Sequence, residues 1–325
     1  MNVLITGGAG FIGLHLSKHL ADCGYKITII DNFERITSAK NLDDIPINDS
    51  VSFINADITL PQTFDNLTKD YDYIYHLAAI NGTPNFYSIP DKVLKVGVLG
   101  VLNILDWFAK RKSGKLLFSS SSETYSGGYA LLGKKFPFPT PEDVPLIVSN
   151  PKNVRWSYGA SKILGEVAMY SYAKAYNFDN FVIVRYHNVY GPRMGYDHVI
   201  PQFIKRIVKK QNPFKIFGYN ETRAFCYISD AIKATQMVME SSKTKGDIIN
   251  IGRSDEEIKI RDLAKKLFKI AGVDPKIEIE PSPEGSALRR CPDTRKLKNL
   301  GFAPEVPLED GLKICYDWYK NIFLS

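Results

Sequence analysis

Short apolar runs alternate with longer segments of helical periodicity through the first half of the chain. The runs Asn2–Thr6, Lys26–Ile30, Val51–Asn55, Tyr73–Leu77, Lys115–Ser119 and Phe181–Arg185 are mostly β-branched or aromatic and show little polar alternation. A strand with one wet face alternates, whereas a continuous apolar run is what a strand covered on both faces requires. Between these runs, Phe11–Cys23, Leu60–Leu67, Asp91–Ala109 and Tyr158–Tyr176 read as helices. Strand–helix alternation predicts right-handed βαβ crossovers, and therefore an α/β fold with a doubly wound parallel sheet. After about Tyr190 the rhythm breaks. Gly191–Asp197, Gln211–Thr222 and Glu280–Asp293 are rich in Gly, Pro and charge, and they separate helices expected at His198–Lys209, Asp230–Ser241, Arg261–Ala271 and Leu308–Asn321. Two units follow: a first over 1–185, with a return to the sheet at about 225–252, and a smaller, mainly helical C-terminal unit over 186–325. The return rests on the strand-like Ile248–Asn250 within Gly246–Gly252.

Composition narrows the class. With 44% apolar and 24% charged residues, the chain is neither disordered, nor collagen-like, nor a disulfide-stapled scaffold. No apolar run approaches the roughly 18 residues of a spanning helix. Met1 leads straight into a strand-like run without a basic leader region, so no secretory signal is expected. Cys23, Cys226, Cys291 and Cys315 lie far apart and form no CxxC pair, which suits a reducing cytoplasm and argues against a zinc site. The net charge of +7 is spread along the chain without an aromatic–basic stripe. It therefore fits a phosphate-bearing small molecule, and no nucleic-acid, membrane or metal partner is expected.

Gly7-Gly8-Ala9-Gly10-Phe11-Ile12-Gly13 directly follows the first strand and opens the first helix. Glycines there permit a sharp turn, close approach of a pyrophosphate to the backbone, and packing of helix on strand. The helix N-terminus adds free N–H groups and the positive end of its dipole. Asp31 ends the second strand, placed to accept hydrogen bonds from a ribose diol and to repel a 2′-phosphate. Together these predict a Rossmann-type domain that binds NAD in preference to NADP, although Arg35 lies close enough to bear on that choice. Further on, Ser119-Ser120-Ser121-Ser122-Glu123-Thr124-Tyr125 follows a predicted strand, and Tyr158-Gly159-Ala160-Ser161-Lys162 opens a long helix. Tyr158 and Lys162, four apart, share a helix face. An ammonium beside a phenol favours the phenolate, which can take a proton from a sugar hydroxyl while hydride leaves the same carbon.

With these motifs in order, the chain resembles the extended short-chain dehydrogenase/reductases of the NAD-dependent nucleotide-sugar epimerase/dehydratase group over nearly its whole length. Asp57-Ile58, His76-Leu77-Ala78-Ala79, Arg185–Arg193, Glu221–Asp230, Asn250-Ile251-Gly252 and Arg289–Pro304 carry the likeness further. The resemblance implies a tightly held NAD that oxidises a nucleotide-linked sugar at C4 to a ketone, with no net redox change. By position it implies a cofactor site of Gly7, Gly10, Phe11, Ile12, Gly13, Asp31, Asn32, Asp57, Ile58, Leu77, Ala78, Ala79, Ser119, Tyr158 and Lys162. It implies Tyr158 as base and later acid, Ser121 orienting O4, and Ser122 or Glu123 acting at C5. Asn188, Arg193, Arg223 and Arg290 would address the diphosphate or nucleotide of the substrate, and a homodimer through Asp91–Ala109 and Tyr158–Tyr176 is the family's default.

The reaction after oxidation turns on Ser121-Ser122-Glu123. The dehydratases of the group carry Thr-Asp-Glu, so their general acid is missing here. Most C4 epimerases have a small or apolar residue at Glu123, whereas Ser-Glu followed by Arg155-Trp156-Ser157-Tyr158 resembles the UDP-glucuronate decarboxylases. Decarboxylation of a nucleotide-linked hexuronate therefore leads, C4 epimerisation is the alternative, and 4,6-dehydration is third. A catalytically silent dinucleotide sensor is the reading from a different class, and the complete Ser121/Tyr158/Lys162 set speaks against it. Gly97 stands where the group usually has Asn, and Ser126 where it usually has Gly. The long segment between Tyr125 and Tyr158 suggests an unusual sugar pocket. Of the histidines, His15 and His19 read as a solvated helix face, His76 as a core residue, and His187 as an open candidate for the pocket wall. Trp318, Tyr319 and Phe323 read as the docking face of the last helix.

Overall fold

The computed structural model describes residues 1–34, 45, 48–67, 69–282 and 287–324. The first part of the chain runs β1 (Asn2–Thr6), α1 (Phe11–Asp22), β2 (Lys26–Asp31), β3 (Val51–Asn55), α2 (Gln62–Asp65), β4 (Tyr73–His76), α3 (Thr83–Ser88) and α4 (Pro90–Arg111). It continues with β5 (Lys115–Ser121), α5 (Ser126–Leu132), α6 (Trp156–Tyr176) and β6 (Phe181–Tyr186). Then come β7 (Val189–Tyr190), α7 (Val199–Val208), β8 (Phe214–Phe217), β9 (Thr222–Ala224), β10 (Cys226–Tyr227), α8 (Ile228–Glu240) and β11 (Asp247–Ile251). The chain ends with β12 (Glu257–Lys259), α9 (Ile260–Ala271), β13 (Ile277–Glu280), β14 (Arg289–Arg290), α10 (Arg295–Asn299) and α11 (Leu308–Leu324).

Seven strands form one parallel sheet in the order β11-β6-β5-β4-β1-β2-β3. The chain order reverses between β1 and β4, and doubly wound sheets open a ligand crevice at the carboxyl ends of the strands at such a point. The continuous apolar runs are explained by what covers them. Val3, Ile5, Val182 and Val184 pack into the cluster that includes Leu16, Ile232 and Val238. Leu4, Ile74, Leu116 and Ile183 point the other way, into the cluster with Ile104, Trp107 and Met169. Apolar side chains cover both faces of the central strands, so these strands lack the polar alternation of a half-exposed strand, although Thr6, His76, Ser120, Arg185 and Asn250 are buried polar positions among them.

The first of these clusters continues without a break into the C-terminal part, taking in Phe203, Phe214, Leu263 and Leu312. There α7, α9 and α11 pack together with two small sheets, β8–β13 and β12–β9–β14. Tyr319 and Phe323 are buried in this core, as expected for the inner face of the last helix. Among the described residues, no helix is long and apolar enough to cross a membrane.

Two local expectations are corrected. The helix at Leu60–Leu67 shrinks to the single turn of α2 after Pro61. Helix α5 has no counterpart among the expected helices, because Gly127 and Gly128 weaken helical propensity. Those glycines are required by packing: a Cβ at Gly127 would lie 1.7 Å from Ile147 O, and one at Gly128 would lie 2.2 Å from the Phe136 ring.

Candidate active site

The glycine turn sits at the switch point. Gly7 has φ +73, and a Cβ there would lie 2.7 Å from the Ala78 backbone. A Cβ on Gly13 would lie 2.2 Å from Gly7 O, so the first turn of α1 rests directly on the loop. Asp31 Oδ2 accepts from Ala9 N at 3.0 Å and Oδ1 from Phe33 N at 2.9 Å, and burial raises its pKa. From this turn a cavity of about 420 Å³ runs across the carboxyl ends of the strands to Arg290. Its lining includes Gly7, Gly10, Phe11, Ile12, Gly13, Asp31, Asn32, Asp57, Ile58, Leu77, Ala78, Ala79 and Ser119. A glycine cradle that any Cβ would fill, an open helix N-terminus and an acidic residue at the next strand end fit a dinucleotide.

Tyr158 lies in the first turn of α6, with its ring stacked on Phe86 of α3 at 5.0 Å between centroids and 11° between planes. One turn on, Lys162 Nζ donates to Ser119 O at 2.7 Å and sits 5.7 Å from the Tyr158 ring centroid. Burial lowers Lys162 to about 7, opposed by Glu166. A buried ammonium in this position gains from an anion beside it, and a Tyr158 phenolate is such an anion. Ser121 ends β5, and its Oγ accepts from Glu123 N at 3.2 Å, capping the 3₁₀ turn that follows. That turn directs Glu123 into the cavity beside Ser121, Ser122 and Tyr158.

Glu123 is held between two guanidiniums. Arg290 Nη1 lies 2.7 Å from Oε1, and Arg155 Nη2 lies 3.4 Å from Oε2. Ser126 Oγ donates to Oε2 at 3.1 Å. Burial by itself raises the Glu123 pKa, but Arg290 and Arg155 outweigh it and hold the carboxyl at about 2. Glu123 is therefore an anion at any working pH. Arg223 donates to Glu221 Oε2 at 2.6 Å, and burial together with the nearby Arg290 lowers it to about 10. Asn188, at φ +41, donates to Ala224 O at 3.2 Å and also lines the cavity.

The sequence-derived set is thus largely brought together, with exceptions. Arg193 does not line the cavity; it lies on the turn after β7, near His15. Arg290, expected at the diphosphate or nucleotide of the substrate, lines the cavity with its guanidinium on Glu123. His187 is fully buried outside the cavity lining, and burial lowers it to about 3. His15 and His19 are half-buried and face Pro192 O at 3.0 Å and Gln236 Oε1 at 2.6 Å, an interface rather than a solvated face. No cluster able to hold a metal ion occurs among the described residues. His76 is a core residue that meets Thr6 Oγ1 at 2.8 Å. Arg35 lies outside the described residues. A Cβ at Gly97 would meet Ser161 Oγ at 2.5 Å, so Ser161 fills the space beside that position. Sequence reasoning missed Phe86 and the bonding roles of Arg155 and Ser126. Arg155 and Ser126 were visible as a motif member and a departure, whereas nothing local marked Phe86.

The family model described as "NAD dependent epimerase/dehydratase family" matches residues 3–252. A UDP-N-acetyl-alpha-D-glucosaminuronate decarboxylase of Bacillus cytotoxicus is 34% identical, with 98% of each chain covered. UDP-glucuronic acid decarboxylase 1 of Xenopus tropicalis is 33% identical over 98% of this chain and 72% of that one. Among solved structures, UDP-glucuronic acid 4-epimerase from Bacillus cereus, in complex with UDP-glucuronic acid and NAD, superposes with a TM-score of 0.85. It is 30% identical, and the match covers 99% of this chain and 100% of that one.

Proposed function

The chain is an NAD-dependent enzyme of the epimerase/dehydratase family, and within that family we propose that it decarboxylates a UDP-linked hexuronate through a transient C4 ketone. The observation that carries this reading is Glu123, an ionised carboxylate held by Arg290 and Arg155 in the cavity that also contains Ser121, Tyr158 and Lys162. Simple C4 epimerisation has no use for such a group. The similarity to the Bacillus cytotoxicus and Xenopus tropicalis decarboxylases supports the same choice. Bound NAD supplies the chemistry of removing and returning a hydride at C4. Gly7, Gly10, Gly13 and the N-terminus of α1 would hold its pyrophosphate, and Asp31 would hold its adenosine ribose.

Tyr158 takes the O4 proton and later returns it, Lys162 favours the phenolate, and Ser121 orients O4. A carboxylate next to the C4 ketone is a β-keto acid. It leaves as carbon dioxide, with the bonding pair passing into the C4–C5 enolate, and C5 then takes a proton. Arg155 is the looser of the two cations on Glu123, and it turns to the substrate carboxylate. Glu123 then loses a positive neighbour and gains a negative one, and both changes raise its proton affinity. The group that is a fixed anion in the free enzyme so becomes able to carry the C5 proton, with Ser122 as its partner. Asn188 and Arg223 address the nucleotide and diphosphate.

Mass spectrometry after incubation with UDP-glucuronate tests the reading: the expected product has lost carbon dioxide. An unchanged mass with inverted C4 favours the second reading, a uronate C4 epimerase, which the similarity to the Bacillus cereus enzyme supports.

The NAD-binding unit is residues 1–185 with the return at about 225–252, and the substrate-binding unit is 186–325. The protein acts as a homodimer in the cytoplasm. Helices α4 and α6 pack side by side and expose Leu94, Leu164, Val167 and Tyr170, while the described cysteines are all free. Light scattering should give twice the chain mass, and Val167→Asp should halve it; a wild-type monomer would overturn the dimer.

A further inference from the structure

A row of buried polar side chains crosses the sheet behind the site. The strand register places Ser120 of β5 opposite Arg185 of β6, and Arg185 opposite Asn250 of β11. Arg185 Nε and Nη2 donate to the two oxygens of Glu166 at 2.8 and 2.6 Å, and Ser120 Oγ donates to Glu166 Oε1 at 2.5 Å. Arg185 Nη1 donates to Tyr125 OH and to Glu142 O, each at 2.8 Å. Tyr125 OH donates to Asn250 Oδ1 at 2.9 Å, and His187 Nε2 meets the same oxygen at 3.0 Å. Asn250 Nδ2 donates to Thr140 O and Asp293 O, both at 3.1 Å. The amide thereby uses both of its donors and both acceptor positions.

The far end of the row reaches the site. Thr140 N donates to Cys291 O and Asp293 N to Thr140 O, both at 2.8 Å, so the two segments under Asn250 are bridged to each other. Cys291 directly follows Arg290, whose guanidinium holds Glu123. A buried ion pair such as Arg185–Glu166 is costly to desolvate, and apolar residues would pack the same space. A hydrogen-bonded row gives direction instead, because each member fixes the orientation of the next.

We infer that Asn250, oriented by Arg185 and Tyr125, is a positioning residue that sets Arg290 against Glu123. The inference rests on the reading of Glu123, held by Arg290, as the group acting at C5. Asn250→Asp keeps Oδ1 but sets a carboxylate oxygen against two carbonyl oxygens. In that variant, loaded with NAD, amide exchange at Thr140 and Asp293 should rise about tenfold or more, while β1 and β4 stay protected. With UDP-glucuronate, C4 oxidation should slow by less than about threefold, whereas release of carbon dioxide should fall by roughly 30-fold. Tyr125→Phe, which deletes one hydroxyl from the row, should show the same pattern more weakly and covers a failure of Asn250→Asp to fold. Unchanged exchange at Thr140 and Asp293 would overturn the inference. So would loosening across the whole sheet with both half-reactions slowed alike. A wild-type enzyme that releases no carbon dioxide would instead count against the decarboxylase reading, and the exchange measurement would still decide the positioning role.

Discussion

Replacing Glu123 by Gln preserves shape and one acceptor for Arg290 but removes the charge and the proton-carrying site. The structure sets the size of two effects. Between an ordinary value of 4.5 and about 2 in the folded protein, the carboxyl shift corresponds to about 3 kcal/mol. A carboxyl depressed by folding contributes its full share above 4.5 and loses it as pH falls towards about 2. Glu123→Gln should therefore be less stable by about 3 kcal/mol at neutral pH, and the gap should close on acidification through that window. For turnover, loss of a positioned general acid or base costs on the order of 100-fold or more. Because C4 oxidation does not use Glu123, the variant should accumulate reduced cofactor and a 4-keto sugar on the enzyme, visible by absorbance and by mass spectrometry of the quenched mixture. In deuterium oxide, the wild type should place deuterium at C5, since the proton added there comes from solvent. A variant that turns over normally, traps no reduced cofactor and yields product without carbon-bound deuterium would refute the reasoning and make Glu123 a bystander.

Tyr158→Phe should abolish turnover while sparing NAD and substrate binding, because only the proton shuttle is lost; calorimetry alongside a rate assay checks both halves. Lys162→Met should cripple the rate and move the residual pH dependence upward, since the phenol then ionises less readily, and a pH–rate profile reads the direction. The unmodified protein should prefer NAD to NADP, and Asp31→Ser should narrow the gap in measured dissociation constants; equal affinities in the wild type would remove the role given to Asp31. Gly13→Ala would force a Cβ to 2.2 Å from Gly7 O, so it should cost about 1–3 kcal/mol and most of the NAD affinity, by thermal melting with and without cofactor.

Local chemistry carried the frame of this protein. Five of the sheet strands, β1, β2, β4, β5 and β6, were legible because burial on both faces leaves continuous apolar runs, and the cofactor turn because its glycines stand between a strand and a helix with an acidic residue ending the next strand. Tyr158 and Lys162 were legible because a helix converts a spacing of four into proximity. Helix α5 was not, since the close contacts that demand Gly127 and Gly128 come from Ile147 and Phe136, remote from any helical signal. The same holds for the charge state of Glu123. Its residue type and place after Ser121 were visible along the chain, but the cations that keep it ionised come from the start of α6 and from β14. Charge–charge energies depend on distance and burial in space, neither of which has a period along a chain. The place of Arg290, expected from the resemblance at the diphosphate or nucleotide of the substrate, beside the Glu123 carboxylate was likewise not legible along the chain.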